Sequence, residues 1–424
     1  MIKPNIPDSP LPRLVVIGAG FAGINLVKAL RKSPFQIVLI NRTNYHLFQP
    51  LLYQVATAGL EASSIAFPVR GFFNRKENFI FRLADVLQIH TEKNSIETSV
   101  GEIHYDYLVI ATGSTSNYFG NQNIEHFSLG MKSLYEAIGL RNYGLQGLEH
   151  ALLLSDKEKK KELLNVVIVG GGPTGVELAG ALAEYKKTIF PKDYPELSPG
   201  LMTIHLIEAL PSLLSNMSRK ASVHTYQYLT KLGVKIRLNT RVNNYDGENV
   251  FLSDGTTIAT KYFVWSAGVM GYAPPGLKEE VMERNGRIKV NEFNQLEDSS
   301  NIFAIGDVSQ MTNDRRFPKG YPMLAQVGIQ QGKNLAANLT RLQNNKKMIP
   351  FSYRDKGTLA TIGRNKAVAD VGKIHITGFF AWVIWLTVHL MFLMGFRNKL
   401  VVFINWMYNY FTYDRGTRIL LKRH

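Results

Sequence analysis

Two short glycine-rich turns constrain the fold of this 424-residue chain more than any other feature of its sequence. The first turn reads GAGFAG and follows LVVI at residues 14–17. The second reads GGGPTG and follows VVIV at residues 166–169. A buried strand, a glycine turn and a helix in succession are typical of a Rossmann-type βαβ unit. Because the second turn begins 152 residues after the first (170 − 18), the spacing predicts two whole dinucleotide-binding domains.

Each glycine in these turns has a separate physical task. Gly18 permits the tight turn, Gly20 lets the backbone approach a pyrophosphate, and Gly23 lets the helix pack on the strand. The N-terminus of the following helix then attracts the phosphate anion. The second turn repeats the spacing with Gly170, Gly172 and Gly175. An ordinary strand-to-helix turn is the alternative interpretation of either motif.

The residue at the end of the next strand distinguishes the two turns. In dinucleotide-binding domains an acid at this position holds the ribose hydroxyls. After FQIVLI the chain has Asn41, which can hydrogen-bond a ribose but carries no charge to reject a phosphate. After MTIHLI it has Glu208, which favours NAD(H) over NADP(H). A capping or surface role is the alternative for Glu208.

Two later strand-and-glycine segments, YDYLVIATGS and NIFAIGDV, return towards the first domain. Together with the two glycine turns they indicate one flavin dinucleotide that stays bound and one nicotinamide dinucleotide that exchanges. Asp307 could bond a ribityl hydroxyl of the flavin, although Asp after Gly is also a common turn former. A helix is predicted from about residue 322 to 342, and the charged run at 155–162 is predicted to be a solvated connector.

Composition limits the chemistry. The chain has no cysteine, which excludes disulfides, thiolate metal sites and cysteine-based redox steps, so any redox chemistry belongs to a bound cofactor. The net charge of +16 implies anionic lipid, nucleic acid or phosphate-bearing small molecules as partners. No RNA-binding aromatic signature or zinc-ligand spacing accompanies the charge, so we predict neither a nucleic-acid partner nor a metal. The N-terminus lacks the pattern of a secretory signal, which places the body of the protein in the cytosol.

The apolar stretch GFFAWVIWLTVHLMFLMGF, residues 378–396, is long enough to cross a bilayer. Three features argue for interfacial attachment instead. Polar and tryptophan side chains lie in its middle, and the flank beyond it is basic. The third feature is an amphipathic pattern in the following segment, with apolar residues at helical spacing: Leu400, Val401, Phe403, Ile404, Met407, Tyr408 and Phe411. A span and a buried core or dimer helix remain the alternatives.

Taken together, the motifs resemble the bacterial, single-subunit type II NADH:quinone dehydrogenases. The resemblance rests on GAGFAG, NYHLFQPLLYQVATAGL, GGGPTGVELAGAL, VWSAGV, FAIGDV, AQVGIQQGKN and GFRNKLVVFINWMYNYFTYDRG, and it extends from residue 13 over nearly the whole chain. It implies an FAD enzyme that takes hydride from NADH and passes two electrons to a membrane quinone, ubiquinone or menaquinone, without pumping protons. It also implies a respiratory-chain protein held peripherally, as a monotopic protein, on an anionic bilayer at the cytoplasmic face of the inner membrane. A homodimer is a further expectation.

The resemblance further implies which residues bind each partner. Non-covalent FAD would contact Gly18, Gly20, Phe21, Ala22, Gly23, Asn41, Arg42, Val86, Ala111, Thr112, Gly113, Gly306 and Asp307. NADH would contact Gly170, Gly172, Pro173, Thr174, Gly175, Glu208 and Gly268. The quinone would contact Pro50, Ala325, Gln326 and Gln330, and the residues implied to be catalytic are Glu177, Gln326 and Gln330.

Physical arguments bear on the implied catalytic residues. Glu177 is predicted to lie in the first turn of a helix, where the helix dipole favours a carboxylate, so a structural role is as open as a functional one. Gln326 and Gln330 are four apart and share a helix face. Their neutral amides can donate to a quinone carbonyl without the cost of desolvating a charge, whereas a surface position is the alternative.

The predicted fold is α/β, with two Rossmann-like dinucleotide-binding domains, the second inserted in the first, and a C-terminal helical segment that anchors to the membrane. We assign residues 11–118 and 288–345 to FAD, 119–287 to NADH and 346–424 to the anchor. Two other functions remain open. One is an NADH-dependent flavin reductase with a soluble partner, of the ferredoxin reductase kind. The other is a redox sensor that binds FAD and NADH without turnover.

Overall fold

The computed structural model describes residues 3–73 and 78–420. The helices in these ranges are α1 Phe21–Ala29, α2 Leu52–Ala56, α3 Ala62–Ile65, α4 Gln122–Phe127, α5 Leu134–Leu153, α6 Lys157–Leu164, α7 Pro173–Thr188, α8 Phe190–Asp193, α9 Arg219–Lys231, α10 Ala325–Gln343, α11 Phe379–Phe392 and α12 Phe396–Thr412.

The strands in the same ranges are β1 Arg13–Ile17, β2 Gln36–Asn41, β3 Tyr45–Leu47, β4 Ala66–Pro68, β5 Phe79–Leu83, β6 Val86–His90, β7 Ser95–Thr98, β8 Gly101–His104, β9 Tyr107–Ile110, β10 Ser114–Ser116, β11 Val166–Val169, β12 Ile204–Ile207, β13 Lys235–Arg237, β14 Val242–Tyr245, β15 Asn249–Leu252, β16 Thr257–Ala259, β17 Tyr262–Trp265, β18 Val269–Gly271, β19 Ile288–Lys289, β20 Ile302–Ala304, β21 Ser309–Gln310, β22 Thr358–Gly363, β23 Lys366–Val371 and β24 Ile374–Gly378.

The chain forms two compact units. The first contains residues 1–46, 67–115 and 269–355, and the second contains residues 47–66, 116–268 and 356–424. The predicted α/β class, with two Rossmann-like domains and C-terminal helices, is confirmed. The domain boundaries assigned by ligand stay a prediction, because compactness and ligand binding are different criteria.

A five-stranded parallel sheet, in the order β20-β9-β1-β2-β5, forms the centre of the first unit. In β1 and β2 nearly every side chain is buried, which is expected of parallel strands that are covered on both faces. Helices α1 and α10 pack closely against each other because small residues meet between them. A Cβ on Gly332 would lie 2.5 Å from the carbonyl oxygen of Ala22.

The second unit has its own parallel sheet, in the order β13-β12-β11-β17, and an antiparallel sheet of β14, β15 and β16. Helix α7 follows β11 directly, as α1 follows β1 in the first unit. The charged run predicted to be a connector is exposed, but it forms α6, a helix that Asp156 caps by accepting from the backbone amides of Glu158 and Lys159.

The C-terminal part of the second unit is more than a pair of helices. Strands β22, β23 and β24 form an antiparallel sheet that the sequence analysis did not identify, and β22 packs on α7. The apolar stretch at 378–396 is not one helix, since α11 ends at Phe392 and α12 begins at Phe396. Gly378 and Gly395, with φ of +81° and +82°, precede these two helices.

Across residues 3–73 and 78–420, no helix combines the length and the apolarity needed to cross a bilayer.

Helix α12 has an unusual distribution of side chains. Two of its asparagines bond to the body of the second unit, where Asn398 donates to the carbonyl oxygen of Ala66 and Asn409 donates to that of Gly59. Trp406 donates to Gln54 on α2. Most of the large apolar residues of the helix are exposed, and Phe396 and Phe411 have 82% and 72% of their surface accessible, whereas Val402 is buried. The outer face of α12 is therefore largely apolar, and its inner face combines polar side chains with Val402.

We predict that Gly180→Ala lowers the free energy of unfolding by about 1–3 kcal/mol, which is the usual cost of overpacking a close contact. The reason is that a Cβ on Gly180 would lie 2.2 Å from the backbone oxygen of Ile362, where α7 meets β22. Urea unfolding of the full chain measures the change.

The matched control is Gly139→Ala on α5, because no atom lies within 4 Å of that Cβ position. Alanine there should raise stability by roughly 0.5–1 kcal/mol through helix propensity. Equal effects of the two substitutions would contradict the close approach of α7 and β22.

Candidate functional site

The glycine turn of the first unit has the geometry that a pyrophosphate requires. Gly18 has φ of +108°, and a Cβ there would lie 2.3 Å from the carbonyl oxygen of Ala111. A Cβ on Gly23 would lie 1.9 Å from the carbonyl oxygen of Gly18, so α1 can approach the turn only without a side chain. By contrast, nothing lies within 4 Å of a Cβ on Gly20, which leaves open space in front of the helix N-terminus. Phe21 and Ala22 follow in the first turn of α1.

Asn41 ends β2 and binds the glycine turn directly. Its Oδ1 accepts from the backbone amide of Ala19 at 2.9 Å, and its Nδ2 donates to the carbonyl oxygen of Thr43 at 2.8 Å. A cavity opens beside this amide, and it is lined by several of the residues predicted to bind FAD. They are Gly18, Asn41, Arg42, Val86 and Thr112. The structure therefore brings these predicted residues together.

The cavity also has a basic side chain held in place. The guanidinium of Arg42 lies 4.0 Å from the carboxylate of Asp85 and 4.8 Å from the ring centroid of Tyr272. Thr112 donates its hydroxyl to the carbonyl oxygen of Tyr272, and Gly113 accepts from the backbone amide of the same residue. A cation thus lies in the wall of the cavity.

The turn after β20 presents Asp307. Ser114 donates to its carboxylate at 2.7 Å, so the segments that follow β9 and β20 meet at this acid. The turn itself is held by a buried glutamine, because the Oε1 of Gln331 accepts from the backbone amide of Gly306 at 2.8 Å. The Nε2 of Gln331 donates to the Oδ1 of Asn294 at 2.8 Å.

Sequence analysis missed Gln331 and Asn294. A signal for Gln331 was present, since Val327, Gln331, Leu335 and Leu339 repeat every four residues and form the buried face of α10. A glutamine in such a stripe must satisfy its amide inside the protein. Asn294 had no comparable signal.

Helix α10 carries the predicted quinone residues of the first unit. Ala325 is its first residue, and no side chain caps its N-terminus. Gln330 has both amide atoms bonded to the backbone of Arg354, at 2.9 and 3.0 Å. Gln326 lies one turn earlier on the same face of the helix. Pro50 belongs to the second unit, in the turn before α2.

The glycine turn of the second unit repeats the first. Gly170 has φ of +111°, and a Cβ on Gly175 would lie 2.0 Å from the carbonyl oxygen of Gly170. The position of a Cβ on Gly172 is open. Pro173, which has no amide hydrogen, begins α7, and Thr174 follows it. At the far end of β17, Gly268 has φ of +108° and accepts from the backbone amide of Asn117.

Glu208 occupies the position in this unit that Asn41 occupies in the first. One carboxylate oxygen accepts from the backbone amide of Gly171 at 2.5 Å, and the other accepts from that of Leu210 at 2.7 Å. The predicted nucleotide-selecting acid therefore also fixes the glycine turn. Each carboxylate oxygen can still accept a further hydrogen bond, because it has a second lone pair.

Glu177 is 8% exposed and lies in the second turn of α7, so the prediction that it lies in the first turn is wrong, because the helix already begins at Pro173. The backbone amide of Thr361 on β22 donates to its Oε1 at 3.3 Å. Burial raises the pKa of Glu177 to about 8, against the opposing effects of this amide and of the nearby Trp385 indole. The indole nitrogen does not reach hydrogen-bond geometry. Glu177 is therefore a neutral acid at pH 7.

The same region contains groups that the sequence analysis did not single out. Tyr53 on α2 is buried, and burial together with the charge of Glu177 raises its pKa well above 10. Gln54 donates to the hydroxyl of Tyr53 at 2.8 Å. Two turns along α7, Glu184 has a raised pKa from burial and lies 3.8 Å from the guanidinium of Arg415.

Two Rossmann-type units, each with a glycine turn before an uncapped helix, define a protein with two dinucleotide-binding domains. Comparison with known proteins agrees. Residues 12–332 match the pyridine nucleotide-disulphide oxidoreductase family, and residues 356–413 match the NDH2 C-terminal domain.

Individual relatives cover nearly the whole chain. It is 35% identical to the type II NADH:quinone oxidoreductase Ndh of Mycobacterium tuberculosis, over 95% of this chain and 89% of the relative. It is 30% identical to the mitochondrial internal alternative NAD(P)H-ubiquinone oxidoreductase A1 of Solanum tuberosum, over 93% and 86%. The fold matches NDH2 of Plasmodium falciparum, solved in complex with NADH, with a TM-score of 0.89, 21% identity and coverage of 97% and 100%. The chain therefore belongs to the pyridine nucleotide-disulphide oxidoreductases and, among them, to the type II NADH:quinone oxidoreductase family.

The raised pKa of Glu177 predicts a pH-dependent stability. A carboxyl group whose pKa is about 8 in the folded state and about 4.5 when unfolded stabilises the fold fully below pH 4.5. This contribution is lost as the pH rises from 4.5 to 8, because the unfolded state can ionise and the folded state cannot. Glu177→Gln removes the ionisation while keeping the shape. We expect its melting temperature, relative to wild type, to rise steadily between pH 5 and pH 8.5.

Thermal unfolding of the FAD-loaded protein across this pH range measures the difference. The exposed Glu196→Gln provides the control and should give a difference that does not change with pH. A Glu177→Gln difference that is equally flat would mean that Glu177 ionises in the folded protein as it does in water.

Proposed function

We propose that this protein is a flavoprotein enzyme that oxidises NADH with FAD and reduces a membrane quinone, passing electrons into a respiratory chain without pumping protons. The observation that carries the proposal is the combination of two glycine turns of dinucleotide-binding geometry with a C-terminal domain of the NDH2 kind, in one chain. Relatives that match this chain over nearly their whole length are named for this activity.

The first unit has the features that FAD needs. The open space at Gly20 and the uncapped N-terminus of α1 suit the pyrophosphate. The cavity beside Asn41, Arg42 and Val86 suits the adenosine half, and Asp307 suits a ribityl hydroxyl. When bound, FAD would accept a hydride and pass on two electrons, and the protein would supply orientation and electrostatics. The remaining predicted contacts are Phe21, Ala22, Gly23, Ala111, Thr112, Gly113 and Gly306.

The second unit is proposed to bind NADH. The pyrophosphate would lie at the N-terminus of α7, against Gly170, Gly172 and Gly175, with Pro173, Thr174 and Gly268 nearby. Glu208 would accept from the ribose hydroxyls with its free lone pairs. Because its charge repels a 2′-phosphate, Glu208 favours NADH over NADPH.

The quinone, menaquinone or ubiquinone, is proposed to bind near Pro50, Ala325, Gln326 and Gln330. The amide of Gln326 can donate to a quinone carbonyl. Both amide atoms of Gln330 bond to the backbone of Arg354, which favours a positioning role for this side chain. Glu177, protonated at Oε at neutral pH, is suited to supply a proton when a quinol forms.

Turnover tests the proposed function. We expect the purified, yellow protein to lose its flavin absorbance within the dead time of mixing with NADH, and to regain it faster with a short-chain quinone than with dissolved oxygen alone. Stopped-flow measurement of the flavin absorbance follows both steps. The wild type without added quinone is the control.

Two other outcomes would each replace the proposal. Fast bleaching by NADH with no acceleration by quinone, but fast reoxidation by a ferredoxin, would identify a reductase with a soluble partner. Slow bleaching that is not followed by turnover with any acceptor would favour a redox sensor.

We also propose that the protein attaches peripherally to an anionic bilayer at the cytoplasmic face of the inner membrane. The support is the outward apolar face of α12, joined by exposed Phe380 and Met391 of α11. Water disfavours an exposed apolar surface of this extent, and a lipid interface would cover it. The net charge of +16 adds attraction to anionic headgroups. We also propose that two copies associate as a homodimer, a proposal that the resemblance alone supports.

For attachment, we predict that Phe403→Gln combined with Phe411→Gln weakens binding to vesicles of phosphatidylglycerol and phosphatidylcholine at least tenfold. Burying one phenylalanine in an apolar phase is worth roughly 1.5–3 kcal/mol. Vesicle sedimentation measures the partition, and NADH-dependent bleaching of the flavin confirms that the variant is folded.

Leu153→Gln is the matched control, because Leu153 is 83% exposed but lies on α5, outside the C-terminal segment. It should bind vesicles as the wild type does. Equal loss of binding in both variants, or in neither, would remove α12 as the attachment surface.

A further inference from the structure

A cavity in the second unit takes no part in the proposed function. It lies between α2, α5 and α7 and has a volume of about 50 Å³. Most of its wall is apolar, with Ala56, Leu148 and Leu182 as representative residues. Two polar side chains, Arg141 and Tyr185, also line it.

Arg141 is an unusual residue to find in an apolar wall. It is 8% exposed, and no carboxylate in the described ranges lies within 4.0 Å of its guanidinium. Its buried Nε has no hydrogen-bond partner among the described residues. Buried arginines are normally paired, because removing the charge from water is costly. Burial lowers the pKa of Arg141 and no acid opposes this shift, but a guanidinium stays charged at neutral pH.

Tyr185 adds a second donor to the same wall. Its hydroxyl is buried and, within the part of the chain that the structure describes, has no hydrogen-bond partner. Burial raises the pKa of Tyr185 to about 12, so the hydroxyl keeps its proton at neutral pH. The charges that act on it most strongly, those of Asp193 and Arg418, are opposite in sign. The cavity therefore offers one cation and one neutral donor within an apolar surface.

We propose that this cavity binds a small organic carboxylate with a short apolar chain, its head on Arg141 and its chain among the leucines. The two oxygens of a carboxylate match the guanidinium fork. A phosphate would bring a charge of about −2 into an apolar cavity that offers one cation. At roughly 10–15 Å³ for each water-sized group, the volume admits an apolar chain of about four groups, which is enough for the chain of butyrate when its carboxylate lies on the Arg141 guanidinium. The proposal does not depend on the enzymatic activity.

A chain-length series tests the site. Acetate, propionate and butyrate would each be titrated into the full-length, FAD-loaded protein at constant ionic strength, with binding followed by calorimetry. We expect about fourfold tighter binding for each added methylene, because each one is transferred from water to the apolar wall. Butanol has the chain without the charge and should not bind detectably. Equal affinities across the series would mean that only surface charge attracts these anions, and would overturn the proposal.

Three variants locate the site. Arg141→Met should abolish carboxylate binding and leave the melting temperature without ligand unchanged or higher, since it removes an unpaired buried charge. Leu148→Phe, which fills the cavity and keeps Arg141, should bind acetate but lose the gain from butyrate. Arg219→Gln, at an exposed arginine on α9 outside the cavity, should bind as the wild type does. Undiminished butyrate binding in Arg141→Met, or an undiminished chain-length gain in Leu148→Phe, would overturn the proposal.

Discussion

Backbone amides at the start of a helix must be left without protein partners if they are to bind phosphate, and much of this structure serves that requirement. Helices α5 and α9 begin with serines whose side chains accept from the first turn. Helices α1, α7 and α10 have no side-chain cap and no acid in their first turn. Their N-termini therefore have a positive dipole end and no side-chain cap. In α1 and α7 the glycine turn also leaves open space in front of the helix, at Gly20 and Gly172.

An uncapped helix end needs another means of holding the turn before it. In both units this is done by the polar residue that ends the next strand, since Asn41 accepts from the amide of Ala19 and Glu208 accepts from that of Gly171. The bonded amide follows the first glycine in each case. The charge is not needed for this bond, which explains how asparagine can replace the acid in the first unit. The charge of this residue would affect only the proposed contact with a ribose, where the first unit has a neutral amide and the second has a carboxylate.

The parts of the fold that rest on local pattern were predictable from sequence. The glycine spacing, the apolar strands and the helix that becomes α10 followed from side-chain periodicity and from the absence of a Cβ. The sheet of β22, β23 and β24 was not predicted, because it adjoins an apolar stretch that dominated the interpretation of the C-terminus. The division of residues 378–396 into two helices depends on Gly395 and its left-handed backbone, which composition alone does not reveal.

The candidate site shows the same division between local and distant information. The sequence located Glu177 on α7, but its pKa depends on Thr361 and Trp385, which lie 184 and 208 residues further along the chain. Likewise Gln331 was overlooked beside Gln330, since only the packing of α10 shows which of the two is buried. Residue type and spacing indicate which chemistry is available, and contacts between distant segments determine the protonation state and the bonding of each group.

These contacts also change how the C-terminal segment should be understood. It was predicted as an anchor appended to two catalytic domains, but it provides Thr361 and Trp385, which both act on the Glu177 carboxylate, and it packs through β22 on the helix that carries this acid. Arg415, beyond α12, lies 3.8 Å from Glu184 on the same helix and donates to the carbonyl oxygen of Thr57. A segment whose outer face is largely apolar thus also contacts one buried acid, Glu177, and one half-buried acid, Glu184. The exposed apolar side chains of α11 and α12 and the surroundings of Glu177 therefore belong to one folded unit, and a change in the packing of these helices would reach Glu177 through Trp385.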